Sequence, residues 1–370
     1  MTSEADTIGI YIHVPFCLRK CPYCDFYSCV NRLHERDAYV QAVCRNIEYY
    51  SKEIDIPRNV DTIYFGGGTP SLLSAENISK IIECIYNSFN VEDPQKHKIE
   101  ITMEVNPATV SYESLLGYRK AGVNRVSIGL QDLQNDALLT LGRLHTAEQG
   151  IDTVYESVRA GFENISCDIM IGTKGQTKKR MMQTLEELVR LPINHISAYM
   201  LKIEEGTPYA MQNMQNLVPD DDETAELYLQ MVSYLNENGF FQYEISNFAK
   251  KGFESRHNCR YWKLKPYLGI GPSAHSFIDK RFYVPSELDL FIAEEHQKIL
   301  IEDEYPNLLT ESIMLGLRLT EGIPLLWLSD LQKETTEYFA KAGLMKINED
   351  RVCFTPNGFL VSNTILCEIL

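Results

Sequence analysis

Short apolar runs alternate along the first half of the chain with longer segments whose apolar positions recur at helical spacing. Regular alternation of strand and helix predicts a parallel sheet with right-handed crossovers. Six such units predict an α/β fold built as an open, partial barrel rather than a closed barrel of eight. The predicted strands are 8–14, 62–65, 99–105, 125–130, 164–171 and 195–200, with helices between them that include 35–50 and 75–88.

The pattern changes after Pro208. An acidic segment, Val218–Glu223, leads into a predicted helix that continues to Asn238 and ends at Gly239. From about residue 307 the pattern predicts two helices and then short strands around 352–356. We therefore predict a core over 1–240, a connecting region over 241–300 and a small helical, winged-helix-like domain over 301–370.

Composition narrows the class of protein. Of 370 residues, 44% are hydrophobic and 23% charged, which is ordinary for a globular protein, and no apolar run reaches the length of a membrane span. The N-terminal segment 1–6 does not have the layout of a signal peptide, and ten cysteines without a secreted-type framework indicate a reducing cytoplasm. The net charge of −16 argues against a nucleic-acid partner.

Cys17, Cys21 and Cys24 stand at CxxxCxxC spacing directly after the first predicted strand. Three thiolates on one short loop can bind three irons of a [4Fe–4S] cluster and leave the fourth iron open to a small molecule. A zinc site would usually need a fourth ligand, often from a second CxxC pair, and the remaining cysteines are single. The spacing thus favours a cluster over zinc or three unrelated thiols. Cys29 does not extend the motif and is predicted to be a free thiol.

Other polar and glycine-rich signals also follow predicted strands, where parallel sheets place their active sites. Gly66–Pro70 would let the backbone approach a ligand, although a tight strand-to-helix connection alone would also explain it. Glu104 could accept hydrogen bonds from ribose hydroxyls or an amine, and Arg143, beyond Gln131, could pair with a carboxylate. Asp168 lies inside a strand, where an unpaired charge is costly, so it is predicted to face a cavity. Each of these residues could instead be a structural hydrogen-bonding group.

Most of these residues belong to a series of seven short segments, which occur in the following order along the chain: Tyr11–Cys17, Gly66–Pro70, Glu104–Pro107, Ser127–Gln131, Leu141–His145, Glu204–Pro208 and Tyr243–Phe248. In this order they resemble the oxygen-independent coproporphyrinogen III oxidase family of radical S-adenosylmethionine (SAM) proteins. The resemblance covers nearly the whole chain. It implies a partial (β/α)6 radical SAM barrel that carries a [4Fe–4S] cluster and SAM.

Within that family the chain is more similar to the haem chaperone branch, the HemW type, than to the oxidases. The oxidases have a further cysteine two places after the last cluster ligand, where this chain has Phe26, and a long N-terminal extension before the cluster loop. The segment Arg256–Trp262 matches the HNxxYW motif of the chaperone branch, and Tyr267–Ser276 continues the likeness. The loop 172–177 departs from the Leu-Pro-Gly-Gln-Thr run that is usual in the family, which puts the geometry beside Asp168 in question.

The resemblance also implies roles for individual residues. Cys17, Cys21 and Cys24 would bind the cluster, and His257 would be the haem ligand. The implied SAM residues are Tyr11, Gly67, Gly68, Thr69, Glu104, Gln131, Arg143 and Asp168. From the residues alone, His257 with Tyr261 and Trp262 would rather form a packed aromatic cluster with a hydrogen-bonded histidine. His13 and His275 are expected to be structural.

The implied function is that of a haem chaperone, which binds haem and passes it to acceptor haemoproteins such as respiratory enzymes, without coproporphyrinogen oxidase activity. The cluster would regulate or assemble the protein, for instance as a homodimer, and a flavodoxin or ferredoxin would be the reducing partner. The alternative is a coproporphyrinogen III oxidase that decarboxylates propionate side chains by radical chemistry. A radical SAM enzyme with an unrelated substrate is a third hypothesis, which no sequence feature favours.

Overall fold

The computed structural model of the chain describes residues 7–53, 56–57, 59–91 and 99–370. The N-terminal segment 1–6 therefore lies outside the described residues. The strands are β1 (Thr7–Val14), β2 (Phe16–Cys17), β3 (Cys29–Val30), β4 (Asn59–Gly67), β5 (Asn90–Val91), β6 (Glu100–Val105), β7 (Arg125–Gln131), β8 (Asn164–Ile171), β9 (His195–Met200), β10 (Phe241–Gln242), β11 (Asn247–Ala249), β12 (Tyr267–Ile270), β13 (His275–Phe277), β14 (Arg281–Tyr283), β15 (Leu300–Asp303), β16 (Ile323–Pro324), β17 (Met345–Asn348) and β18 (Arg351–Phe354). The helices are α1 (Arg36–Glu53), α2 (Ala75–Ser88), α3 (Tyr112–Ala121), α4 (Asn135–Thr140), α5 (Ala147–Arg159), α6 (Lys178–Leu188), α7 (Pro208–Met211), α8 (Asp221–Glu237), α9 (Arg256–Trp262), α10 (Leu288–Ala293), α11 (Leu308–Gly316), α12 (Asp330–Lys341), α13 (Pro356–Leu360) and α14 (Ser362–Ile369).

Six parallel strands form the core of the molecule, in the spatial order β1, β4, β6, β7, β8 and β9. One face of these strands packs in the core, as in β1, where the alternating residues Ile8, Ile10 and Ile12 are fully buried. Neighbours among these six strands are also successive units of the chain, the commonest arrangement of sequential strands. The predicted partial (β/α)6 barrel is confirmed.

The helices between these strands begin at capping residues that the sequence contains. The Ser74 hydroxyl accepts a hydrogen bond from the Asn77 N–H at the start of α2, and Asp220 and Glu223 form a reciprocal capping box at the start of α8. Helix α8 ends at the predicted place, where Gly239 adopts a φ of +82°. These caps hold the helices in register against the sheet.

Antiparallel strands extend the core sheet at both edges. At the β9 edge, β11 and β10 are added. At the other edge, β12 pairs parallel with β1, and β13, β14 and β15 follow as antiparallel neighbours. The segment 241–300, predicted as a connecting region, contributes β10 to β14 and the start of β15 to this sheet.

The C-terminal part combines helices α11 to α14 with an antiparallel sheet in the order β16, β18 and β17. This arrangement agrees with the winged-helix-like prediction. It joins the core through backbone hydrogen bonds from Ile245 to Arg318 and from Thr320 to Tyr243, at 3.1 and 3.0 Å. No helix within the described residues is long and apolar enough to cross a membrane.

Two leucine-to-alanine substitutions test the packing of the helices. Leu185 in α6 is fully buried, whereas Leu139 in α4 is 77% exposed. We expect Leu185→Ala to lower the free energy of unfolding by about 2–5 kcal/mol, because it leaves a cavity. The matched change Leu139→Ala should alter it by no more than about 0.5 kcal/mol. Urea unfolding followed by circular dichroism measures both, and equal losses would contradict this packing.

Candidate functional site

The cysteine loop leaves the sheet at the carboxyl end of β1. Its base is closed because β2 pairs with β3 and the Cys29 N–H donates to the Pro15 carbonyl at 2.6 Å. Within the loop, the Cys24 N–H donates to the Cys21 carbonyl at 3.1 Å, which forms a turn. Cys17, Cys21 and Cys24 are all free thiols and partly exposed. The loop thus presents three unpaired thiols from one short segment.

The three thiols line one cavity of about 410 Å³ at the carboxyl edge of the sheet. The predicted site residues that line it are Cys17, Cys21, Cys24, Gly67, Gly68, Thr69, Glu104, Gln131, Arg143 and Asp168. The Cys17 Sγ lies 3.5 Å from the Thr69 hydroxyl, and an Arg143 Nη lies 3.9 Å from the Cys21 Sγ. Tyr11 lines a second cavity instead. The structure therefore brings together all but one of the residues predicted to hold a cluster and SAM.

Glycines in the loop after β4 are required by close packing. Gly67 has a φ of +111°, and a Cβ there would lie 2.8 Å from the His13 ring. A Cβ on Gly68 would lie 2.8 Å from the Phe16 carbonyl oxygen. The Gly68 N–H donates to the Val14 carbonyl at 2.8 Å, which joins this loop to the end of β1. Larger side chains would separate the glycine loop from the cysteine loop.

Glu104 and Asp168 place two buried carboxyl groups beside the same cavity. Glu104 accepts hydrogen bonds from the Tyr64 hydroxyl at 3.0 Å and from the Gly67 N–H at 3.2 Å, and Asp168 accepts one from the Ser127 hydroxyl at 3.0 Å. Burial, and then the charge of Asp168, raises the pKa of Glu104 to about 7. Burial likewise raises the pKa of Asp168. Two desolvated acids facing one cavity suit a cationic ligand, such as an amine or a sulfonium.

Arg143 supplies the opposite charge. One Nη donates to the Gly129 carbonyl at 2.8 Å, while the buried Nε has no hydrogen-bond partner among the described residues. A guanidinium with an unused donor beside the cysteine loop suits a carboxylate. Together with Glu104 and Asp168, it fits a ligand that carries an amine and a carboxylate, so the residues present fit SAM beside a cluster.

The loop after β8 keeps its shape despite its unusual sequence. The Gln176 side chain accepts a hydrogen bond from the Gly172 N–H at 2.8 Å and donates to the Met170 carbonyl at 3.0 Å. Gly172 and Gly175 have φ values of +75° and +72°. These bonds close the loop without the proline that is usual there, and Asp168 still lines the cavity.

Sequence reasoning missed Tyr64, Ser127 and Tyr199, which also line the cavity. Each is a polar residue inside an otherwise apolar strand. Alternation along a strand places residues two apart on one face, so Tyr64 shares a face with Gly66 and Ser127 with Gly129. A search for polar interruptions of the predicted strands would have found them.

A second cavity, of about 550 Å³, lies next to the first. The two share Tyr64, Glu104 and Tyr199 as a common wall. Helix α9 borders the second cavity, and its first two N–H groups, those of Arg256 and His257, donate to the Glu100 carboxylate, each at 3.0 Å. The segment that resembles the HNxxYW motif is therefore inside the barrel, beneath the predicted SAM site.

His257 is fully buried in this structure, and both of its ring nitrogens are engaged. Nδ1 lies 2.9 Å from the Thr62 hydroxyl and Nε2 lies 2.9 Å from the Tyr261 hydroxyl. Burial, and then the charge of Arg260, lowers the pKa of His257 to about 3, so the ring is neutral. Iron could bind Nε2 only after Tyr261 had moved away. The assignment of His257 as haem ligand stays a prediction.

Among the described residues, no three His, Cys, Asp or Glu side chains converge closely enough to hold a single metal ion.

Comparison with family models matches the Radical SAM superfamily to residues 11–188 and the HemN C-terminal domain to residues 306–361. The second match falls within the small domain predicted over 301–370. Together the two matches cover the cysteine loop, most of the parallel strands and the winged-helix-like sheet.

Relatives are similar over nearly the full chain. The heme chaperone HemW of Mycobacterium tuberculosis is 31% identical over 98% of this chain and 94% of that protein. The heme chaperone HemW of Bacillus subtilis is 33% identical over 97% of this chain and 98% of that protein. The mitochondrial radical S-adenosyl methionine domain-containing protein 1 of Danio rerio is 35% identical over 87% of this chain and 75% of that protein.

Among solved structures, coproporphyrinogen III oxidase (HemN) from Escherichia coli superposes with a TM-score of 0.83. The superposition covers 99% of this chain and 90% of that chain at 20% sequence identity. This likeness establishes a shared fold, including the added strands and the C-terminal domain.

Because the pKa of Glu104 is raised in the fold, we expect the stability of the cluster-free, SAM-free protein to depend on pH. Its pKa is 4.5 ordinarily and about 7 in the fold, so the folded chain retains a proton that the unfolded chain releases. The associated stabilisation is complete at low pH and is lost as the pH rises through this interval. Because Gln cannot ionise, Glu104→Gln should reduce the loss of unfolding free energy between low and high pH by up to about 3 kcal/mol.

Urea unfolding at several pH values between about 5 and 8 measures the effect, since this range spans the upper part of the interval. The exposed residue Glu163 provides the control substitution Glu163→Gln, which should leave the pH profile of the wild type unchanged. Parallel profiles for wild type and Glu104→Gln would show that Glu104 ionises normally in the fold.

Proposed function

Because the chain belongs to the radical SAM superfamily and, within it, to the heme chaperone HemW family, we propose that it binds haem and transfers it to acceptor haemoproteins. The proposal rests on sequence identity above 30% over almost the whole length of proteins named heme chaperones. The acceptors we propose are haemoproteins such as respiratory enzymes.

Cys17, Cys21 and Cys24 are the residues we propose to hold a [4Fe–4S] cluster, with the fourth iron left to SAM. When bound, the reduced cluster would supply one electron for the cleavage of SAM. The three thiols come from one loop whose base is closed by the pairing of β2 with β3. That closure keeps them on the same side of the cavity.

The remaining cavity residues bind and orient SAM in this proposal. Glu104 and Asp168 face the cationic part of the ligand, and the guanidinium of Arg143 faces its carboxylate. Gly67 and Gly68 bring the backbone close, since neither has a side chain to obstruct the ligand. Burial of the Glu104 and Asp168 carboxyl groups raises the pKa of each, which favours their neutral, hydrogen-bonding forms beside the ligand.

Electron supply would come from a flavodoxin or ferredoxin. Arg19 and Lys20, within the cysteine loop, are exposed on a chain whose net charge is −16. Local positive charge beside the cluster would favour the approach of an acidic redox partner. A homodimer is the assembly we propose for the cluster-loaded protein.

Two cysteine variants test the cluster assignment. After anaerobic reconstitution, Cys21→Ser should lose the broad visible absorption of the cluster and its protein-bound iron, because one iron loses its thiolate. Cys29→Ser is the matched control: the Cys29 thiol contacts the Tyr27 hydroxyl at 3.4 Å, and Cys29 does not line the cavity. Equal iron contents in the two variants would refute the assignment.

The proposed function is tested by two assays on the reconstituted protein. Anaerobic titration with ferric haem should give a saturable Soret band, and the haem should pass to an apo-haemoprotein added in excess. Coproporphyrinogen III, incubated with the protein, SAM and a reductant, should remain unchanged. Conversion of coproporphyrinogen without saturable haem binding would replace the chaperone by the oxidase alternative.

A further inference from the structure

Most histidines of the described residues cannot reach a haem iron without rearrangement. His13, His195 and His257 are buried with both ring nitrogens hydrogen-bonded, and His145 is buried with Nε2 bonded to the Leu130 carbonyl. Within the described residues, the exposed histidines are His34, His275 and His296. A chaperone must accept and release its cargo, so an accessible imidazole is the simpler iron ligand.

His275 lies on the same face of the sheet as the residues of the barrel interior. Tyr11 on β1 pairs with Gly269 on β12, and the pairing of Tyr267 with Phe277 places Gly269 opposite His275. Paired residues of adjacent strands point to the same side. A Cβ on Gly269 would lie 2.2 Å from the His275 carbonyl oxygen, so the glycine lets the backbone at His275 pack closely against β12. His275 is the first residue of β13, which follows the carboxyl end of β12.

The surroundings of His275 prepare it to bind a metal. Its Nδ1 lies 3.4 Å from an Oε of Glu302, and Nε2 has no hydrogen-bond partner among the described residues. The imidazole stacks on Tyr283, with ring centroids 5.3 Å apart and planes inclined by 22°. A carboxylate at one ring nitrogen fixes the ring orientation and makes the other nitrogen a better ligand. The side chain is 52% exposed, so Nε2 is accessible.

An apolar surface adjoins the imidazole. Leu300 on β15 pairs with Tyr283, and Ile299, Leu300 and Ile301 are 41%, 48% and 45% exposed. Strand β15 is the last strand of the sheet on this side within the described residues. Because side chains alternate along a strand, Leu300 lies on the face of Tyr283 and His275, whereas Ile301 points to the other face. An exposed aliphatic side chain on an edge strand invites contact with an apolar partner, and Leu300 and Tyr283 together offer one beside the imidazole.

Each of the other two exposed histidines has only part of this arrangement. The Nε2 of His34 lies 3.2 Å from Glu35, whose carboxylate is paired with Arg32, so the ring is part of a charged cluster. His296 stacks on Tyr49 at 4.4 Å, and no carboxylate contacts its ring among the described residues. His275 is therefore the exposed histidine that combines an oriented ring with an adjoining apolar surface.

We propose that His275 binds the haem iron through Nε2, that Glu302 orients the ring through Nδ1, and that the porphyrin lies against Tyr283 and Leu300. This inference rests on the proposed function of the chain in haem transfer. The bond that forms is a coordinate bond from a neutral imidazole to ferric iron, and no electron is gained or lost. Release requires only that an acceptor replace this one ligand at the surface.

The test is a titration of the full-length, reconstituted protein with ferric haem, followed by absorption spectroscopy. His275→Ala should weaken haem binding at least about tenfold and shift the Soret band, and Glu302→Gln should weaken it by about tenfold. His296→Ala is the matched control, since it also removes an exposed histidine stacked on a tyrosine. It should titrate like the wild type. Far-UV circular dichroism checks that each variant is folded.

Chemical rescue separates ligation from a structural role. In His275→Gly, free imidazole should restore the wild-type Soret position, because it can occupy the space of the missing ring. If His275→Ala titrates like the wild type while His257→Ala loses the band, the inference is overturned and the haem chaperone proposal stands. If the wild type itself does not bind haem saturably, both fail. Absence of rescue in a folded His275→Gly would also overturn ligation by His275.

Discussion

The hydrogen bond from the Gly68 N–H to the Val14 carbonyl joins the two loops on which the cavity depends. It links the ends of adjacent parallel strands, where a Cβ at position 68 would meet the Phe16 carbonyl at 2.8 Å. The cysteine loop can therefore approach the glycine loop only if residue 68 has no side chain. Every polar group of the cavity is placed relative to this junction, since the strands that carry Glu104 and Asp168 pair outward from β4 in fixed register.

Much of this architecture could be predicted because the core strands read as short apolar runs. Helix α2 was predicted with its observed bounds, since Ser74 marks its start. The family resemblance and the partial barrel were confirmed. The antiparallel extension by β13 and β14 was not predicted, because strands of three residues show too little periodicity to be distinguished from loops.

Some residues of the candidate site could be predicted and others could not, because only some of them carry a local sequence signal. Residues with a local signal, such as the cysteine spacing and Arg143, do line the cavity. The residues alone favoured a hydrogen-bonded His257 in an aromatic cluster, and its contact with the Tyr261 hydroxyl agrees with that, but its distant partners had no local signal. Its burial depends on the position of α9 inside the barrel, and its hydrogen bond to Thr62 connects residues 195 positions apart in sequence. The exposure of His275 likewise depends on the order of strands at the sheet edge, which no segment of sequence reveals by itself.

The wall shared by the two cavities has a thermodynamic consequence. Tyr64, Glu104 and Tyr199 contact the space on both sides, so an occupant of one cavity that shifts these side chains alters the other. Coupling of this kind is reciprocal: the factor by which the first ligand changes the affinity for the second equals the factor in the opposite direction. The protonation of Glu104 is linked to both binding equilibria, because its carboxyl group lines both cavities. Ligands bound in the two cavities would therefore be thermodynamically linked through this shared wall.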